Sequence, residues 1–189
     1  MPFTLCVIIL TAAGLVLTTM SPDLALYLGL RSQGHLSSQP HTLFTYPLIQ
    51  TSFIWWAIPA AGIALTGGFL EPRLGRLRFG ALILIGPLVS GSTFLLLSRT
   101  PEMLVGSGGM LWALVGASTT FGLRGWSALS PRHRGVIALS AVASLLALLS
   151  LLSAPNFIRN GPIAVATLFG LLIGAMVAIR PASGTDAPA

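Results

Sequence analysis

GSGGMLWALVGA, residues 106–117, joins a glycine-and-serine loop directly to an apolar helix. A serine at such a helix start is a place where a nucleophile can be set. At 3.6 residues per turn, Gly109, Ala113 and Gly116 fall on one helix face. A strip of small residues lets a second helix approach until backbones touch, which is how helices associate in lipid. The stretch therefore poses a choice between a nucleophile loop and a packing face. The surrounding chain decides it.

Residues of the AVILMFWYC set make up 54% of the 189 residues and charged ones 7%, with mean hydropathy +0.88. A soluble domain carries about 25% charged residues, so this chain has too little polar surface for a water-soluble globule. Six apolar spans can be drawn, at 3–20, 47–70, 79–98, 103–123, 136–153 and 161–179. Each approaches the ~20 residues that cross a bilayer as a helix. The expected fold is an all-α polytopic membrane protein, a six-transmembrane-helix bundle. The first run reads as a retained helix, because no basic residue precedes Arg31 and no small-x-small cleavage site follows it.

All ten basic residues are arginine. Arg73, Arg76, Arg78, Arg124, Arg132, Arg134 and Arg180 fall on one side of the six spans, and Arg31, Arg99 and Arg159 on the other. Basic residues collect on the cytoplasmic side, so both termini are expected there. The net charge of +6 then signals topology and anionic lipid rather than nucleic acid. The expected organisation is one membrane domain over 1–180 with a long external loop at 21–46 and a flexible tail at 181–189. LALYLGL, 24–30, is apolar but too short to span, and belongs at the interface. Cys6 is the single cysteine, so no disulfide or thiolate metal site forms within the chain.

Four stretches follow one another in the order and spacing of the rhomboid intramembrane proteases, which they resemble. LFTYPLIQ from Leu43 resembles the entry to the second helix. GGFLEPRLGRLRF, Gly67 to Phe79, resembles the corner G-x-x-x-E-x-R-x-G through Glu71, Arg73 and Gly75. GSGGMLWALVGA resembles G-x-S-G-x-x-x-x-L-x-G-A through Gly106, Gly109 and Gly116. ATLFGLLIGAMVA resembles the sixth-helix pattern A-H-x-x-G-x-x-x-G through Gly170 and Gly174. The resemblance runs from Leu43 to Ile179 and implies the rhomboid bundle. It also implies lost chemistry. The nucleophile position is Gly108 and the general-base position is Thr167. The oxyanion side chains of the second helix would fall near Trp55 and Pro59, and His41 and Thr42 stand where the first loop has a Trp-Arg pair.

The residues alone lead to the same expectation. A serine needs an adjacent base, yet there is no lysine, and His35, His41 and His133 all lie in loops. The acidic residues are Asp23, Glu71, Glu102 and Asp186, none in the middle of a span, which argues against an aspartyl dyad, a metal site or a proton relay. No span carries a histidine to ligate haem. Ser107 precedes the nucleophile position by one residue, a rotation of about 100° on a helix. Glu71 is expected to hold the corner by accepting loop hydrogen bonds or pairing with an arginine. Trp55 and Trp56, on a helix loosened by Pro59, are candidates to contact a partner's helix.

The expected function is therefore that of a pseudoprotease without cofactor or metal. It would bind transmembrane helices of other integral membrane proteins as an assembly, stabilising or escort factor. A fixed accessory subunit of a larger membrane complex is the alternative, and a protease with displaced catalytic residues comes third. Arginine-only basicity with abundant Ala, Leu and Gly suits a GC-rich bacterial coding bias, hence an inner-membrane expectation.

Overall fold

A computed structural model describes residues 2–32, 39–98, 101–149 and 157–179, with side chains described in the last segment for 161–173. The chain is mainly helical. Helix α1 covers Pro2–Met20, α2 Pro22–Leu28, α3 Thr42–Thr45, α4 Phe53–Leu74, α5 Arg76–Leu97, α6 Gly108–Arg124, α7 Pro131–Leu149 and α8 Phe157–Ile179. α1, α4, α5 and α7 are long and apolar enough to cross a membrane. α6, at 17 residues, is shorter than the ~20 that a bilayer asks for. Leu5, Ile9, Val16 and Leu17 on α1 and Leu139, Val142, Leu145 and Leu146 on α7 are exposed, a surface that suits lipid and not water.

Two helices start later than the sequence reading placed them, while α5, α7 and α8 start earlier, at Arg76, Pro131 and Phe157 rather than 79, 136 and 161. The second long helix begins at Phe53 rather than residue 47, because Tyr46–Leu48 form a 3-10 turn and Gln50–Ser52 are non-helical before Ser52 caps α4. The fourth begins at Gly108 rather than residue 103, because Met103–Leu104 form strand β2. Strand β2 pairs antiparallel with β1, Leu30–Arg31, matching Leu30 with Leu104. The connection between α1 and α4 is thus tied to the entry of α6. LALYLGL largely coincides with the short helix α2. The 181–189 tail lies outside the described residues.

Helix α6 is the hub. Residues 113–119 are all buried, and α6 packs on α4, α5, α7 and most extensively on α8. Glycines set these distances. A Cβ on Gly116 would collide with the Thr167 carbonyl oxygen, and one on Gly170 with the Ala113 carbonyl oxygen. On the α5 side, a Cβ on Gly109 would come within 2.9 Å of Pro87 Cα and Ser90 Cβ, and one on Gly86 within 2.6 Å of Ala113 Cβ. So Gly109, Ala113 and Gly116 serve packing within the bundle, against α5 as well as α8. Gly174 lies further along α8, where surroundings are outside the described side chains.

The corner is held in a way the sequence did not reveal. The Glu71 carboxylate, buried at the end of α4, accepts from Phe3 N–H at 3.1 Å, Thr4 N–H at 3.0 Å and Thr4 Oγ1 at 2.7 Å. These amides belong to the first turn of α1, which has no intrahelical acceptors for them. A carboxylate there also meets the positive end of the helix dipole. The partner of Glu71 is therefore the α1 start, in addition to whatever the corner itself supplies. Arg73 turns back, donating from Nη1 to the Phe69 carbonyl at 2.6 Å with its guanidinium 4.2 Å from the Phe69 ring. Gly75 ends α4 at φ 76°, ψ 162°, a conformation that a side chain disfavours.

Two substitutions test this account. Gly170→Ala should destabilise the detergent-solubilised protein by about 1–3 kcal/mol through overpacking, whereas Gly80→Ala, whose Cβ meets nothing closer than 3.6 Å, should be near neutral. Glu71→Ala should cost about 1–3 kcal/mol by leaving the buried Thr4 amide and the part-buried Phe3 amide without this acceptor. Thermal unfolding followed by tryptophan fluorescence checks both.

Candidate functional site

The entry of α6 lies at the end of the bundle where the 46–52 linker and the β1–β2 ladder converge on it. Gly106, at φ 102°, donates its N–H to the Tyr46 carbonyl at 3.0 Å. Tyr46 is buried and donates to the Pro87 carbonyl of α5 at 2.6 Å. Burial pushes its phenol pKa well above the ordinary tyrosine value, so it stays a neutral donor. Gln50 is 2% exposed, and its Nε2 donates to the Pro47 carbonyl and to Ser107 Oγ, both at 3.3 Å. The Gln50 carbonyl in turn accepts from Thr18 of α1. This amide anchors the whole linker.

A cleft of about 490 Å³ opens beside this anchor, lined among others by Gln50, Trp55, Pro59, Ser107, Gly108 and Ile163. Ser107 caps α6 without a side-chain cap bond, its hydroxyl accepting from Gln50 instead. That partner is an amide donor, which cannot take a proton from the serine. Gly108 has no heavy atom within 4 Å of a Cβ built on it, so this position faces open cleft. Trp55 and Pro59 line the same cleft.

Thr167 lies on α8. It is fully buried, its Oγ1 donates to the Ile163 carbonyl at 2.9 Å, and its own carbonyl lies against Gly116, two turns into α6. The α8 side chain that lines the cleft with Gly108 is Ile163. The Thr167 hydroxyl is already bonded along its own helix. Trp55 and Trp56 also part ways. Trp55 is 68% exposed at the cleft, while Trp56 turns inward and donates from Nε1 to Thr11 Oγ1 of α1 at 3.1 Å.

A second cavity of about 270 Å³ continues from the first, sharing Ile58, Leu111 and Trp112, and reaches Leu65, Val136, Leu139 and Ser140. Its walls are α4 and α7 and its floor is α6. α4 and α7 touch each other far less than either touches α6. The cleft thus runs into a lateral, almost wholly apolar slot between two helices.

The family model described as Rhomboid domain matches residues 37–181. The chain belongs to the rhomboid family. This rhomboid is a multi-pass membrane protein, and a search of curated proteins returned no match. Glu71, Arg73 and Gly75 sit together at the α4–α5 corner, far along α4 from the cleft at its start. Gly106, Gly108 and Trp55 meet at that cleft, and Gly116 and Gly170 lie below it in the α6–α8 contact. The sequence reading assigned no role to Gln50 or Trp112. The available signal was the one amide closing the apolar run YPLIQ, because a buried amide requires partners.

Among the described residues there is no group of three or more His, Cys, Asp or Glu that could hold a metal. His41 caps α3 with its ring centroid 5.3 Å from that of Tyr27, and His133 bonds Ser130 Oγ through Nδ1 at 2.9 Å at the start of α7. His35 lies outside the described residues. The Gln50–Ser107 bond gives a direct expectation. Ser107→Ala should cost about 1 kcal/mol of stability, and Gln50→Leu about 1–3 kcal/mol, since the leucine leaves the Pro47 carbonyl unpaired. Urea or heat unfolding of the two variants in one detergent measures the difference.

Proposed function

We propose that this rhomboid is a non-catalytic member that lodges a transmembrane helix of another membrane protein in the cleft and slot between α4 and α7. The observation that carries the reading is Gly108. It faces open cleft where a serine would act, and the nearest hydroxyl, on Ser107, is engaged by an amide. A frame without nucleophile or base keeps only the binding part of the family's activity. The slot supports it, because its apolar lining matches a partner helix in lipid, where close packing is the attractive term.

In this proposal α1, α4, α5, α6, α7 and α8 all cross the membrane, with both termini in the cytoplasm and the arginine-rich corners on that side. The membrane is the bacterial inner membrane. Trp55 meets the partner at the mouth of the slot, and Trp56 acts through the α1–α4 contact.

Purification in a gentle detergent with mass spectrometry of co-purifying proteins tests the reading. Trp55→Ala should deplete bound membrane proteins several-fold while leaving thermal stability unchanged, and Trp56→Ala should lower stability instead. A single stoichiometric partner, insensitive to Trp55→Ala, would identify a fixed accessory subunit. A fluorophosphonate probe should leave Ser107 unlabelled, and specific labelling there would restore the protease reading.

A further inference from the structure

The opposite end of the bundle carries six arginines that the partner-helix reading does not use. Arg73, Arg76 and Arg78 belong to the α4–α5 corner, and Arg124, Arg132 and Arg134 to the α6–α7 connection. Phe69 brings the two together. The Arg73 guanidinium lies over its ring at 4.2 Å, the His133 ring lies 5.6 Å away and the Phe121 ring 6.1 Å away. Arg132 and Arg134 flank His133, so both basic segments meet around one buried aromatic. Arg134 is fixed in turn, donating to the carbonyls of Trp126 at 3.2 Å and Ser127 at 3.1 Å.

Charge at this end is not balanced from within. Among the described residues its single carboxylate is Glu71, which is buried and turned onto the α1 start. Arg76, Arg78 and Arg132 are exposed and make no hydrogen bond or ion pair among the described residues. Between the first two stands Leu77, 88% exposed. An apolar side chain between two cations suits the boundary between acyl chains and headgroups. Trp126, 39% exposed beside Arg134, has the amphipathic character found at the same level.

We propose that the two corners form one binding site for the phosphate of anionic phospholipid headgroups, with Arg76 and Arg132 as ligands from either side and Leu77 against the acyl chain. The helices attached to both corners place these cations at headgroup depth, and guanidinium groups match phosphate geometry. The site is independent of any partner in the α4–α7 slot.

Native mass spectrometry of the full chain in neutral detergent, titrated with phosphatidylglycerol or phosphatidylcholine, tests it. Phosphatidylglycerol should bind at least about tenfold more tightly. At about fivefold per arginine near a charged surface, Arg76→Gln/Arg132→Gln should weaken it by roughly tenfold or more. Neither residue holds the fold, so elution on size exclusion should be unchanged. Arg31→Gln, at the other end, should leave lipid binding intact. Equal binding of the two lipids, an unaffected double variant, or an equal loss with Arg31→Gln would overturn the site. Displacement by soluble glycerol phosphate at matching concentration would overturn it as a lipid site and assign it to free phosphate.

Discussion

The contact between α6 and α8 depends on two missing side chains. Gly116 brings α6 against the Thr167 carbonyl, and Gly170 brings α8 against the Ala113 carbonyl. In lipid there is no gain from hiding apolar surface between helices, so the attraction comes from many short-range contacts at close backbone approach. Everything else is arranged around that seam. α5 enters through Gly86 and Gly109, α7 closes on Gly122 through Ile137, and α4 leans on the remaining face. With α4 and α7 each held mainly to the α6 hub, they touch each other little, and the lateral slot is the space between them.

The cleft has a related origin. The end of α6 must be held in place although its first turn has no side-chain cap. The 46–52 linker does this, with Tyr46 bonded into α5, Gln50 reaching Ser107 and Thr18 of α1 holding Gln50 from behind. A network of buried, paired polar groups is rigid, since breaking one bond leaves a desolvated partner. The cleft beside the start of α6 is therefore kept in shape by this network. Ser107 is part of that framework.

At the opposite end the organising group is also polar. Glu71 joins the last turn of α4 to the first of α1, and Arg73 folds back onto Phe69, where the second basic segment arrives. The bundle is thus pinned at both ends by hydrogen bonds and along its middle by glycine contacts. Its outer faces are left to lipid.

Apolar run length made the helical membrane class legible in the sequence, because a bilayer imposes it. The spacing Gly109–Ala113–Gly116 and Gly170–Gly174 pointed to close packing for the same reason, and the corner residues and Gly108 were readable as a pattern. Other features depended on distances between segments far apart in the chain. The partner of Glu71 is 67 residues away and that of Gln50 57, and no local periodicity encodes such pairs. The start of α4 moved to Phe53 because Gln50 is buried and held by tertiary bonds to Thr18 and Ser107 that hydropathy does not register, and Ser52 caps the helix. The division of labour between Trp55 and Trp56 arose likewise. Adjacent residues on a helix point about 100° apart, and only the position of α1 decided which indole would be bonded and which would face the cleft.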